Sequence, residues 1–113
     1  MLLTPEQIDT QASGVPSWNV SEEGNSISRL FTFENFAQSI HFFNSVAKIA
    51  EEINHHPDIQ INFKKVTLTL STHSAGGLTE KDFLVAQKID QLPMPTSETL
   101  KDEPFWQGDY AVR

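Results

Sequence analysis

Three of the four histidines in this 113-residue chain lie within one short stretch. His55 and His56 are adjacent and run into Pro57, and His73 opens the loop Ser74-Ala75-Gly76-Gly77. Glu51 precedes the pair and Asp82 follows the loop. Imidazole is the side chain whose ordinary pKa, roughly 6.5, lies near neutral pH. Imidazoles flanked by carboxylates, in a chain without cysteine, point to proton transfer or to a metal site.

The metal reading has a ligand set: His55, His73 and either Glu51 or Asp82 would supply the three or four groups that zinc takes. Two features count against it. Neighbouring histidines on a chain entering a proline point apart, and the pairing of two histidines four apart on a helix is missing. Each member also has an ordinary explanation. Asp82 suits a helix cap, Glu51 a solvated face, Thr67, Thr69 and Ser71 an ordinary exposed strand face, and His41 a helix surface. Spacing alone leaves these readings open.

The elements that must hold these residues are legible. Thr4-Pro5-Glu6-Gln7 starts a helix, with Thr4 as N-cap, Pro5 in the first turn and Gln7 closing a capping box. Ser13-Gly14-Val15-Pro16 breaks it. Ser17 to Ser21 alternates as a strand with Trp18 and Val20 on one face, and Glu22-Glu23-Gly24-Asn25 is a turn. Ile27, Arg29, Phe31 and Phe33 then share one parity, which completes a hairpin. From Glu34 the period changes. Phe36, Ile40, Phe43, Ala47, Ala50 and Ile53 recur at steps of three and four, the stripe of a helix of about 20 residues ending near Asn54. Pro57 keeps His56 out of helical geometry.

Ile59, Ile61 and Phe63 alternate as a third strand, Lys64-Lys65 turns the chain, and Val66, Leu68 and Leu70 alternate as a fourth. Thr79 caps a last helix, with Asp82 three residues on and Leu78 and Phe83 at the staple positions. Ala86, Ile89 and Leu92 continue its apolar face until Pro93 and Pro95 close it. The order α-β-β-α-β-β-α predicts an α+β domain over residues 1–92. One four-stranded antiparallel sheet carries three helices on one face. Its outer strands need pairing or cover, which favours a dimer. Residues 93–113 read as a polar, partly mobile tail in which Phe105, Trp106 and Tyr110 are candidates for docking.

Composition narrows the function. The chain is 38% hydrophobic and 20% charged, as in an ordinary single domain. Fifteen acidic against eight basic side chains give a formal charge of −7, which argues against direct nucleic-acid binding. No apolar run approaches the roughly 20 residues that span a bilayer, so no membrane partner is expected. The N-terminus lacks the pattern of a secretory signal, and the cytoplasm is the expected location.

The pattern runs from Glu51 through His55-His56-Pro57, Phe63 and His73 to Asp82, with intervals of three, five, nine and eight residues. It resembles the signature of the pterin-4a-carbinolamine dehydratases. Leu70-Ser71-Thr72-His73 and Gly77-Leu78-Thr79-Glu80-Lys81-Asp82 resemble that family's loop and helix start. Trp18 and the aromatic-rich stretch from Phe31 to Phe43 also match, so the resemblance covers roughly Trp18 to Gln91. Where members often carry an aromatic after His-His-Pro, this chain has Asp58-Ile59-Gln60. The tail after Pro93 has no counterpart.

The resemblance implies loss of water from a 4a-hydroxytetrahydropterin, giving the quinonoid dihydropterin, with no cofactor and no metal. It implies His55 and His73 as the acid-base pair, with His55 the principal acid, and His56 as a binding or orienting residue. Glu51 and Asp82 become carboxylates that orient an imidazole. The backbone of Ser71, Thr72 and His73 binds the pterin amide edge. It also implies a homodimer or homotetramer. A second, non-catalytic role follows as well, because some members serve as dimerisation cofactors or assembly partners of other proteins.

Overall fold

The computed structural model describes residues 1–95, so the three tail aromatics lie outside the described residues. The elements are α1 (Pro5–Ala12), β1 (Asn19–Val20), β2 (Ile27–Thr32), α2 (Phe36–Ile53), β3 (Asp58–Asn62), β4 (Lys65–Leu70), the 3-10 turn His73–Ala75 and α3 (Glu80–Asp90). This is the expected α+β order. The four strands form one antiparallel sheet in the order β1-β2-β4-β3. The two hairpins therefore join through the central β2–β4 pair.

Strand parity sorts the two faces. Ile27, Arg29 and Phe31 pair with Leu70, Leu68 and Val66, so these side chains share one face. Ile59 and Ile61 join them from β3. The apolar members pack with Ile8 of α1, Phe42 and Val46 of α2, and Phe83, Ala86 and Ile89 of α3 in one core. Burying each large side chain contributes about 1.5–3 kcal/mol. Rings reinforce the centre, with Phe42 4.6 Å from Phe31 and 5.1 Å from Phe33 between centroids.

Local chemistry explains the helix ends. Thr4 and Gln7 form the predicted capping box of α1. Asn35 caps α2, its side chain accepting from the Gln38 N–H. At the other end Asn54 takes the left-handed conformation (φ 58°), which asparagine tolerates, and His55 N–H returns to Ala50 O at 3.0 Å. Leu78 and Phe83 are both buried, as a hydrophobic staple at the start of α3 requires.

Four sequence expectations are corrected. The first strand spans only Asn19–Val20, with Trp18 buried ahead of it and Val20 exposed, so those two do not share a face. The inward stripe of α2 is Phe42, Val46 and Ala50, whereas Phe36 is exposed and Ile40, Phe43 and Ala47 are half-buried. The helix is apolar on two adjacent stripes, and the periodicity picked the flank along with the core. Phe63 is not a strand residue. It sits in the two-residue turn between β3 and β4, exposed and at φ 58°. That turn comprises Phe63 and Lys64, because Lys65 already pairs with Asn62.

Candidate active site

The C-terminus of α2 and the N-terminus of α3 meet at one carboxylate. Asp82 is fully buried at N3 of α3, where its backbone places the side chain against its own helix cap. Oδ2 accepts from the Thr79 N–H at 2.9 Å and from the Thr72 hydroxyl at 2.8 Å. Oδ1 lies 2.6 Å from Nε2 of His55. Thr72 Oγ1 is also 2.8 Å from Thr79 Oγ1 and 3.5 Å from His55 Nε2. Three residues, His55, Thr72 and Thr79, thus converge on one buried carboxylate.

His55 keeps one edge of its ring clear of this network. Its side chain is only 12% exposed. Among the described residues, every buried side-chain nitrogen or oxygen has a hydrogen-bond partner. Nδ1 has none, so it reaches solvent. His55 is held by one ring nitrogen and presents the other, the arrangement a proton-transfer imidazole needs.

The other predicted residues divide. His56 Nε2 meets Glu51 Oε2 at 2.6 Å, but on the surface, with side chains 54% and 77% exposed. His73 is exposed in the 3-10 turn and makes no side-chain hydrogen bond among the described residues. Its neighbour Thr72 brings the turn to His55. The Ser71 hydroxyl is committed elsewhere, donating to Asn25 O at 2.7 Å. Gly76, at φ 83°, and the Thr72–Gly77 bridge close the loop that carries His73. His41 lies on α2 outside this group. No cluster of three His, Asp or Glu side chains suited to a metal occurs among the described residues.

Sequence reading treated Thr79 only as a helix cap and missed its hydroxyl contact with Thr72. It also missed a second polar centre, where Asp90 Oδ1 accepts from Trp18 Nε1 and from Arg29, each at 2.8 Å. The Arg29 guanidinium rests 4.3 Å over the Phe31 ring. A cavity of about 330 Å³ borders Thr79 but is lined by Leu2, Leu3, Gln7 and Lys81 rather than by the histidines.

The family model for pterin 4 alpha carbinolamine dehydratase matches residues 1–92. The chain belongs to this family. Among its pterin dehydratase relatives, a protein named as a pterin-4-alpha-carbinolamine dehydratase in Picosynechococcus is 49% identical over 90 residues, covering 80% of this chain and 96% of that one. A counterpart in Nostoc punctiforme is 48% identical over 91 residues, with the same coverage. A crystal structure of a transcriptional coactivator/pterin dehydratase from Brucella melitensis superposes with a TM-score of 0.76 at 30% identity. It covers 80% of this chain and 96% of that one. A pterin dehydratase-like RuBisCO assembly factor of the alpha-carboxysome gives a TM-score of 0.56 at 25% identity, covering 66% and 86%. No helix among the described residues is long and apolar enough to cross a membrane.

Proposed function

We propose that the chain removes water from a 4a-hydroxytetrahydropterin by histidine acid-base catalysis, in tetrahydropterin recycling. The observation that carries this reading is His55 pinned through Nε2 to a buried carboxylate, with Nδ1 free of hydrogen bonds among the described residues. Dehydration needs a proton delivered to the departing 4a-hydroxyl and a proton taken from the adjacent ring nitrogen. Water and the quinonoid dihydropterin are then the products.

In this reading protonated His55 delivers the first proton from Nδ1. Asp82 orients the ring and is the counter-charge of its protonated form. His73, on the neighbouring turn, takes the second proton. His56, steered by Glu51, contacts the bound pterin, and the backbone at Ser71 and Thr72 meets its amide edge. Each positioned acid or base contributes about 10²–10⁴-fold. The protein acts as a homodimer or homotetramer, which would cover the edges left by β1 and β3. Light scattering after size exclusion tests that part, and a monomer alone would contradict it.

The decisive assay supplies freshly generated carbinolamine to purified protein and follows the quinonoid product by absorbance. Acceleration that persists in EDTA is expected. Activity lost to EDTA and restored by zinc would return the metal reading.

A non-catalytic role as an assembly partner or dimerisation cofactor is the alternative. The coactivator and assembly-factor descriptions of two related structures favour it. The His55–Asp82–Thr72 arrangement favours catalysis, since a pure binding module has no use for it. Capture of one stoichiometric protein partner by a chain with no dehydratase activity would reverse the ranking.

A further inference from the structure

We infer that Thr79 is a positioning residue that fixes, through Thr72 and Asp82, which ring nitrogen of His55 faces the substrate. The inference rests on the acid-base reading of His55 for its catalytic consequence, but its structural content stands apart from it.

The available protons fix the direction of the hydroxyl chain. A threonine hydroxyl has one proton to give. Thr72 spends its proton on Asp82 Oδ2, at 2.8 Å. The 2.8 Å contact between Thr72 Oγ1 and Thr79 Oγ1 therefore has Thr79 as donor. The chain runs Thr79 O–H to Thr72 O–H to Asp82 Oδ2, and the Thr79 N–H reaches the same oxygen at 2.9 Å. Thr79 thus acts on Oδ2 twice, once directly and once through Thr72.

Two donors on Oδ2 turn the carboxylate so that Oδ1 is left for the imidazole. The neutral ring then carries its proton on Nε2 and its lone pair on Nδ1, the nitrogen open to solvent. Without the Thr79 hydroxyl, Thr72 loses the donor that orients it. Its own hydroxyl is then free to turn toward His55 Nε2, 3.5 Å away, and compete with Asp82.

The test compares the full chain with Thr79→Val, Thr79→Ser and Thr79→Gly. Valine keeps the shape and removes the hydroxyl; serine restores it. Glycine removes it while remaining a tolerated N-cap, so it serves where the valine variant does not fold. Two readouts are taken. One is the ¹⁵N–¹H signature of the neutral His55 ring without substrate. The other is kcat and KM for dehydration of freshly generated carbinolamine.

In the wild type the ring is expected to carry its proton on Nε2. Removing the hydroxyl is expected to give a tautomer mixture and lower kcat about tenfold, with KM within about twofold, and serine to restore both. A folded Thr79→Val or Thr79→Gly protein with the wild-type tautomer overturns the inference. If the wild-type chain shows no dehydration but its tautomer responds to Thr79, the positioning role stands and only the catalytic reading fails.

Discussion

His55 Nε2 lies 2.6 Å from Oδ1 of Asp82, and the Asp82 side chain is fully buried. Oδ2 of the same carboxylate already accepts two donors. An amide cannot reproduce this, because one of its ends is itself a donor. Asp82→Asn should therefore leave at least one buried donor unpaired, costing about 1–3 kcal/mol. Thermal denaturation should show Tm falling by several degrees. The dehydration rate should fall about 10²-fold as His55 loses its orienting partner.

The second polar centre should separate stability from activity. Asp90→Ala leaves the Trp18 N–H and the Arg29 guanidinium without their shared acceptor. A loss of about 1–3 kcal/mol is expected in denaturant titration. The specific activity of the folded fraction should be unchanged, because neither residue touches His55 or Asp82.

Phe42 and Phe43 should differ sharply. Phe42 is buried against Phe31 and Phe33, whereas Phe43 is half-buried on the flank of α2. Phe42→Ala should cost about 3–5 kcal/mol, and Phe43→Ala markedly less. Equal losses in the denaturation midpoint would contradict the assigned face.

Glu51→Gln should scarcely change stability. The Glu51–His56 pair is mostly exposed, and such pairs contribute about 0–1 kcal/mol. If Glu51 steers His56 onto the pterin, KM should rise while Tm stays within a degree or two.

Much of this was legible in the residues. Strict alternation identified the core face of β2 and β4, since a period of two leaves little ambiguity where one face is buried. Capping chemistry marked the starts of α1 and α3. The α2 stripe was harder, because residues adjacent to the core stripe are also apolar and only packing separates Phe42 from Phe43. Phe63 looked like a strand residue because alternation says nothing of a positive φ. At the site, the clustering of histidines drew attention to His55, but spacing left it and Asp82 with ordinary explanations, and only the family resemblance singled the two out. The hydroxyl chain through Thr72 and Thr79 was hidden, since threonines before a helix already have a role as caps. The Trp18–Asp90 bond was hidden by its separation of 72 residues along the chain.

The central claim is that His55 moves a proton for the dehydration. It is tested most directly by the rate of quinonoid dihydropterin formation for wild type and His55→Ala under the same conditions. Loss of at least about 10²-fold in kcat, in a variant that remains folded, is the predicted result. A folded His55→Ala protein that dehydrates the carbinolamine at the wild-type rate would contradict it.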